Sequence, residues 1–303
     1  MPTAPATVSD AAHGAIAPEI AEAASELVAC GSLEMGADAP GDAARIAELL
    51  PAGTPVYVNH LPKHDISYTL RALIALREAN LEPVPHVAVR RVASREEVKG
   101  FIEKAVRVAG VSKILLLGGD IAAPAGPYQQ AADLLQEDFI GQCGLSQVGL
   151  AGYPGGHPRI ATDALNAALE QKLSLARERG LSPHVVTQFS FAPNRIVEYC
   201  ADLARRAPGV PVYVGLAGPT SPVSLLRYAQ RCGVSASLRA LQAEGMRAVR
   251  LITHVDPTDQ LLMLARHART GSASNVVGVH LFSFGGVART VAWMNERITI
   301  RTA

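Results

Sequence analysis

Eight short apolar runs recur along this chain, and segments with helical periodicity separate them. The runs comprise residues 27–34, 56–59, 84–89, 113–120, 148–153, 185–189, 210–216 and 276–282. In the fourth run, four apolar residues lead directly into Gly118, Gly119 and Asp120. Such runs, when they end at turn residues, are typical of parallel strands buried on both faces. Eight strands that alternate with helices predict a (β/α)8 TIM barrel, whereas a miscount by one strand would favour an open, doubly wound sheet.

The segments between these runs predict the helical layer of the barrel. We expect helices at residues 18–27, 42–50, 67–79, 94–110, 128–135, 162–179, 194–206, 222–231, 237–242, 258–268 and 287–295. Ser94 and Glu97 form the pattern of a capping box at the start of one of them. The 303 residues, of which 49% are hydrophobic, suffice for one barrel. We therefore predict a single barrel domain over residues 16–303 and a disordered N-terminus over residues 1–15, which are rich in Ala, Pro and Thr.

Composition excludes several classes of partner. The net charge is +1 and aromatic residues make up only 5%, which argues against a nucleic-acid partner. The apolar runs have the length of strands, so we expect no membrane span, and the N-terminus lacks the basic region of a signal peptide. The four cysteines are widely spaced, without a CxxC pair, and we predict reduced, mostly buried thiols of a cytoplasmic protein without a metal site. The sequence leaves the oligomeric state open, a homo-oligomer included.

Polar residues follow or end many of the predicted strands. They are Glu34, Asn59, His86, Asp120, Tyr153 and Gln188. Barrel enzymes carry their catalytic groups on the rim formed by the carboxyl ends of the strands. A single residue of this kind is often a helix cap or a loop hydrogen-bonding group, but the recurrence along successive strands favours a site.

Several motifs in this order resemble the methylenetetrahydrofolate reductase family. They are Ser-Leu-Glu-Met at 32–35, Pro-His at 85–86, Gly-Gly-Asp at 118–120, Ala-Gly-Tyr-Pro-Gly-Gly-His-Pro at 151–158, Thr-Gln-Phe-Ser-Phe at 187–191 and Gly-Val-His-Leu-Phe at 278–282. The resemblance spans residues 30 to 285. It implies a (β/α)8 barrel that binds FAD and reduces 5,10-methylenetetrahydrofolate to 5-methyltetrahydrofolate with NADH or NADPH.

The resemblance also implies roles for individual residues. The expected catalytic residues are Glu34, Asp120 and Gln188, and these with Phe189 would contact the folate. The expected cofactor-binding residues are Asn59, His86, Gly118, Gly119, Asp120, Tyr128, Tyr153, His157 and Lys172. Opening the substrate ring requires a proton on the leaving amine, and a carboxylic acid with a raised pKa can supply it at neutral pH. Glu34 fits this role, because burial beside Leu33 and Met35 would raise its pKa.

Two departures from the family pattern keep alternatives open. Gly118 stands where the family has Arg, and the helix that carries Lys172 does not plainly match the family's flavin-binding helix. These departures motivate a second hypothesis, in which hydride passes directly from NADH to the same substrate without flavin. A third hypothesis is a non-catalytic folate-binding subunit, although such a protein would not need the acid Glu34.

Overall fold

The computed structural model describes residues 16–60, 64–221, 224–225, 227–228, 256–269 and 274–299. Eight parallel strands pair in chain order there, and the last pairs with the first to close a barrel. The strands are β1 Ser32–Met35, β2 Pro55–Val58, β3 Glu82–Ala88, β4 Lys113–Leu117, β5 Gln147–Gly152, β6 Ser182–Thr187, β7 Val212–Ala217 and β8 Val276–Phe282. The predicted (β/α)8 TIM barrel is confirmed, and the open doubly wound sheet is wrong.

Helices alternate with these strands. They are α1 Pro18–Ala29, α2 Asp42–Leu49, α3 Leu70–Glu78, α4 Arg95–Ala109, α5 Ala131–Leu135, α6 Thr162–Glu178, α7 Pro193–Arg206, α8 Thr258–Arg269 and α9 Val287–Thr299. The cap predicted for α4 is present, because the hydroxyl of Ser94 accepts the backbone N–H of Glu97 at 3.1 Å. None of the helices within the described ranges is both long and apolar enough to cross a membrane.

Several elements begin later than the sequence predicted, β1 by the largest margin. Residues 27–29 complete α1, where Leu27 and Val28 are buried, and β1 begins only at Ser32. A short Leu-Val-Ala run is compatible with either element, and here the amphipathic period of the helix prevails. Gly31 makes the turn between them, since a Cβ at this position would lie 2.7 Å from the carbonyl oxygen of Val279. Likewise, α5 begins at Ala131 instead of at residue 128.

Some expectations fall on residues outside the described ranges. These are the disordered segment 1–15, most of the helix at 222–231 and all of the helix at 237–242. The domain assignment over 16–303 therefore stays a prediction. Among the cysteines, Cys30 is exposed, Cys143 is half-buried and Cys200 is buried, all as free thiols, while Cys232 lies outside the described residues. The prediction of a buried thiol is thus wrong for Cys30, because it follows the C-terminus of α1 instead of lying in a strand.

Alternate residues of each strand face two different cores. The outer core, between strands and helices, is apolar and includes Leu33, Val56 and Ile114. The residues between them point into the barrel, where Tyr57 and Leu115 belong to a separate cluster. This interior is unusually polar for a barrel core: the buried side chains of His86, Lys113, His184 and His280 share it. Of these, His86 and His280 lie near the carboxyl ends of β3 and β8, and we call the rim that the carboxyl ends form the carboxyl rim.

Candidate active site

The three predicted catalytic residues lie at the carboxyl rim. Glu34 is the third of the four residues of β1, Asp120 lies in the loop after β4, and Gln188 follows β6 directly. Because all eight strands are parallel, these positions share one end of the barrel. Their predicted placement on a common rim is confirmed, whereas their catalytic roles stay predictions.

Glu34 has the environment of a general acid. It is the register partner of Tyr57 across the β1–β2 pair, and its side chain is 21% exposed. Burial raises the pKa of Glu34 to about 7, opposed by a hydrogen bond from the side chain of Asn59. The amide oxygen of Asn59 accepts the backbone N–H of Ala37 at 3.3 Å, which leaves its NH2 group to donate to Glu34. A carboxyl group in this setting holds a proton close to neutral pH.

His86 lies inside the barrel, next to this acid. The Nε2 atom of His86 is 3.9 Å from the Oε2 atom of Glu34, and the residue is only 6% exposed. Burial, with a smaller electrostatic contribution from His60, lowers the pKa of His86 to about 3. His86 is therefore a neutral imidazole at physiological pH.

Sequence reasoning missed the remaining polar residues of the barrel interior. The hydroxyl of Tyr57 lies 3.1 Å from Nε2 of His184, and the hydroxyl of Ser32 lies 2.8 Å from Nδ1 of His280. Burial lowers the pKa of His184 to about 4 and that of His280 to about 3. The available signal was parity: alternate residues of a strand lie on the same side, so His184 shares the inward side of β6 with Val186.

The loop after β4 is open at Gly118 and is bordered by arginines. A Cβ at Gly118 would meet nothing within 4 Å, and Gly119 has φ +95°. Arg90 holds the loop, because its guanidinium donates to the carbonyl oxygens of residues 121, 122 and 129. The adjacent Arg91, 12% exposed, forms an ion pair with the carboxylate of Asp120, which is 70% exposed. Arg91, which follows β3, thus supplies a cation next to Asp120, in the loop where Gly118 replaces the arginine of the family.

Tyr153 borders a cavity of about 300 Å³ that lies after β5, between residues of α6 and α7. The ring centroids of Tyr153 and His157 are 5.5 Å apart in an edge-to-face arrangement. This cavity volume is at the lower end of the range for ligand pockets. Tyr153, the Gly155–Gly156 turn, Asn166 and Arg195 are among the lining residues. The structure thus places a polar recess next to the predicted cofactor contacts.

Gln188 and Phe189 connect the rim to an aromatic cluster. The amide oxygen of Gln188 accepts the backbone N–H of Phe189 at 3.1 Å, which leaves the amide NH2 group as a donor. The ring of Phe189 is buried and packs against Phe282 and Phe284, with centroids 5.5 and 5.1 Å away. The ring of Phe284 stacks on Tyr228 at 4.7 Å. We call Phe189, Phe282, Phe284 and Tyr228 the aromatic cluster; of these, the sequence analysis selected only Phe189.

Phe284 has an unusual backbone conformation. Its φ is +47°, in the left-handed region that bulky residues rarely adopt. Such strain persists where surrounding contacts impose it, and it is frequent at ligand sites. The signal in the sequence was the Gly285–Gly286 pair that directly follows it.

Two of the predicted cofactor contacts lie away from this assembly. Tyr128 is buried in the outer core, and its hydroxyl donates to the carboxylate of Glu137 at 3.0 Å. Lys172 is half-buried in α6, ten residues after Thr162, and an α-helix rises about 1.5 Å per residue, so it lies ~15 Å along the helix from the rim. The structure does not bring these two residues together with Glu34, Asp120 and Gln188.

Among the residues that the structure describes, no group of three or more His, Cys, Asp or Glu side chains could hold a metal ion.

Two solved structures resemble the barrel. One is a Clostridium thermocellum protein that binds two copies of 5-methyl-5,6,7,8-tetrahydrofolic acid, with 13% identity, a TM-score of 0.54 and coverage of 89% of this chain and 96% of that one. The other is a putative phosphonomutase from Burkholderia cenocepacia, with 13% identity, a TM-score of 0.50 and coverage of 93% and 99%. At these identities the likeness shows the fold alone.

A family model identifies the chain more narrowly than these structures do. The model of methylenetetrahydrofolate reductase matches residues 45–243, about two thirds of the 303-residue chain. The matched range includes the loop after β4, the Tyr153 segment and Gln188. Together with the closed barrel and the buried acid at its rim, this match means that the chain belongs to the methylenetetrahydrofolate reductase family.

Proposed function

We propose that this protein reduces 5,10-methylenetetrahydrofolate to 5-methyltetrahydrofolate with a hydride from NADH or NADPH. The observation that carries the proposal is the Glu34 carboxyl at the carboxyl rim, whose pKa burial raises to about 7 in a chain of this family. An acid of this pKa is protonated in part at neutral pH and loses its proton readily. A structural neighbour that binds 5-methyltetrahydrofolate adds support for a folate ligand.

Glu34 would open the substrate ring by protonating one of the two nitrogens that are bonded to the bridging methylene carbon. The carboxyl donates its proton to one ring nitrogen, the carbon–nitrogen bond breaks, and its electron pair stays on that nitrogen. The other nitrogen then forms an iminium with the methylene carbon. A hydride added to that carbon gives the methyl group, so one hydride and one proton are consumed for each product.

Asp120 and Gln188 would orient the substrate and stabilise its charge. The iminium is cationic, and the exposed carboxylate of Asp120 offers an opposite charge at the same rim. The NH2 group of Gln188 can donate to the pterin edge or to a nicotinamide amide. The buried ring of Phe189 fixes the backbone next to this donor and packs against Phe282 and Phe284 of the aromatic cluster. Phe189 was predicted to contact the folate, but its ring is buried; we propose instead that the half-buried ring of Phe284, which packs against it, flanks a flat ligand.

The residues at the rim fit FAD as the hydride carrier. The open backbone at Gly118 leaves space for a large ligand, and Arg91 offers a cation in the same loop region, beside Asp120. Asn59, Gly118, Gly119, Asp120, Tyr153 and His157 would hold the flavin. When bound, FAD would supply a carrier that accepts hydride from NADH or NADPH and passes it to the folate.

A flavin-independent reduction is the second candidate. It is favoured by the position of Lys172, ~15 Å along α6 from the rim, given the helical rise per residue. It is also favoured by the pairing of Arg91 with Asp120, since this cation is already engaged. In this alternative the same Glu34 proton opens the substrate ring, and the nicotinamide lies against the folate.

The test is an absorbance spectrum of the purified protein followed by anaerobic incubation with NADH or NADPH and methylenetetrahydrofolate. We expect a flavin spectrum and the formation of 5-methyltetrahydrofolate. Full activity of a colourless protein without added FAD would favour the second candidate. Folate binding without product under any of these conditions would favour the non-catalytic subunit and overturn the proposal.

A further inference from the structure

The protonated form of Glu34 needs a hydrogen-bond acceptor. A neutral carboxyl group has one O–H donor as well as acceptor sites. Asn59 meets an acceptor site, because its NH2 group donates to the carboxyl. The amide oxygen of Asn59 is already used by the backbone N–H of Ala37. Asn59 therefore satisfies the carbonyl oxygen of the acid and leaves its hydroxyl to another group.

His86 has a buried ring nitrogen, Nε2, that lacks a hydrogen-bond partner among the described residues. The Oε2 atom of Glu34 lies 3.9 Å from it, just beyond hydrogen-bond distance, so a small rotation of either side chain would close the gap. The ring is held laterally by Tyr57, whose centroid is 6.0 Å away at an interplanar angle of 67°. Buried polar groups in native proteins are seldom left unpaired. A hydrogen bond between the hydroxyl of protonated Glu34 and Nε2 of His86 would satisfy both groups.

The other titratable groups around this pair leave it in neutral surroundings. Tyr57 on β2 has its hydroxyl engaged with His184, and burial raises its pKa. His280 on β8 has Nδ1 engaged with Ser32, and burial lowers its pKa to about 3. The pKa of His60, after β2, is also lowered by burial. No cation among these groups would draw the proton off Glu34.

We propose that the bare Nε2 of His86 accepts the hydroxyl hydrogen of protonated Glu34, so that His86 is the positioning residue of the acid and not a cofactor contact. The imidazole then carries its single hydrogen on Nδ1. The hydrogen bond holds the proton of Glu34 at the inner side of the rim until the substrate nitrogen competes for it. A protonated histidine could not do this, because it would donate to Glu34 and favour the carboxylate.

This proposal rests on the proposed function only for its catalytic consequence, so nitrogen NMR of the free protein tests it first. At pH 6 we expect His86 as the Nδ1–H tautomer with a bare Nε2. Its Nε2 shift should follow the titration of Glu34 near pH 7 without protonation of the ring above pH 5. In Glu34→Gln that titration should disappear. A hydrogen on Nε2 at pH 6, or a titration near pH 7 that persists in Glu34→Gln, would overturn the proposal.

Two substitutions of His86 test the consequence for catalysis. His86→Leu removes the acceptor, and we expect kcat for folate reduction to fall roughly threefold to tenfold with an unchanged KM, the range of one hydrogen bond. His86→Gln retains an acceptor on a flexible side chain and should restore most of the rate. Equal losses in both variants would overturn the positioning role.

His184→Leu is the matched control. His184 is as buried as His86 and also points into the barrel, but its Nε2 atom pairs with Tyr57 and not with Glu34. We expect this variant to lose stability while the nitrogen shift of His86 still follows Glu34. An absence of folate reduction in the wild-type protein would overturn the proposed function, whereas the NMR result would still decide the pairing.

Discussion

At the scale of single residues, Glu34 illustrates how position and surroundings together define an acid. The sequence predicted its role from two apolar neighbours and a family motif, and the structure places it where burial raises its pKa to about 7. Its partners, Asn59 and His86, come from the next two strands of the barrel. The motif therefore selected a residue that lies at the rim with a raised pKa, but the different roles that we propose for Asn59 and His86 depend on hydrogen-bond partners that only the structure shows.

We predict that Glu34→Gln binds folate but reduces it ~10²–10⁴-fold more slowly, which is the range of general acid catalysis. The amide keeps the size of the carboxyl group but cannot deliver its proton. Product formation under single-turnover conditions measures this step. Oxidation of NADH with an artificial electron acceptor in place of folate is the control, and we expect it to persist. If both activities fall equally, Glu34 supports the fold or the cofactor instead of supplying the proton.

Phe284 permits a second prediction at this scale. Phe284→Gly relieves the positive φ and removes the ring that stacks on Tyr228. If the ring flanks the folate, the Kd for folate should rise roughly fivefold or more, since stacking on an aromatic side chain contributes about 1–3 kcal/mol per base. Isothermal titration with 5-methyltetrahydrofolate measures the change. Asn80→Gly relieves a similar φ of +59° after α3 and should leave folate binding unchanged. Unchanged binding in Phe284→Gly would remove Phe284 from the proposed site.

At the scale of elements, the sequence predicted the order of the strands better than their limits. β8 was predicted at its observed limits, because a long apolar run with β-branched residues has no helical alternative. The start of β1 was wrong, because Leu27 and Val28 fit the buried face of a helix equally well. The family resemblance placed Tyr128 with the cofactor contacts, whereas its ring is buried in the outer core and its hydroxyl donates to the carboxylate of Glu137. The spacing of Tyr128 and Glu137 in the sequence does not indicate that their side chains form a hydrogen bond.

The crowding of β5 against His184 gives a prediction at the scale of elements. A Cβ at Gly149 would lie 2.9 Å from Nε2 of His184 and 3.0 Å from a methyl carbon of Leu115. Gly149→Ala should therefore destabilise the protein by about 1–3 kcal/mol, the usual cost of overpacking a core. Urea unfolding measures this change. Gly100→Ala in α4 is the control: its Cβ meets nothing within 4 Å, and it should stabilise the helix by about 0.5–1 kcal/mol. An unchanged stability in Gly149→Ala would mean that the imidazole moves aside freely.

At the scale of the whole molecule, the barrel combines an apolar outer core with a polar inner core. The outer core follows from the alternation of apolar residues, which the sequence displays directly. The inner core could not be predicted in the same way, because His86, His184 and His280 are about a hundred residues apart and meet only when the barrel closes. Their burial keeps all three neutral, and that shared state has a consequence for the stability of the fold.

We predict that the protein loses stability as the pH falls below about 6.5. The folded pKa values of His86, His184 and His280 are about 3, 4 and 3, below the unfolded value of 6.5, so the unfolded chain binds protons that the folded chain excludes. Each histidine thus contributes stability that is present above pH 6.5 and declines on acidification, by about 2 kcal/mol between pH 6.5 and 5.

Glu34 acts in the opposite direction. Its folded pKa of about 7 lies above the unfolded value of 4.5, so its contribution is present below pH 4.5 and is lost as the pH rises through 7. Three histidines outweigh one carboxyl group, and the net slope below pH 6.5 should remain that of acid destabilisation. Urea unfolding at pH 5, 6 and 7 measures this slope. His184→Gln should reduce the slope by about one proton, whereas the exposed His64→Gln should match the wild-type protein. A slope that His184→Gln leaves unchanged would mean that the interior admits a proton at this histidine without unfolding.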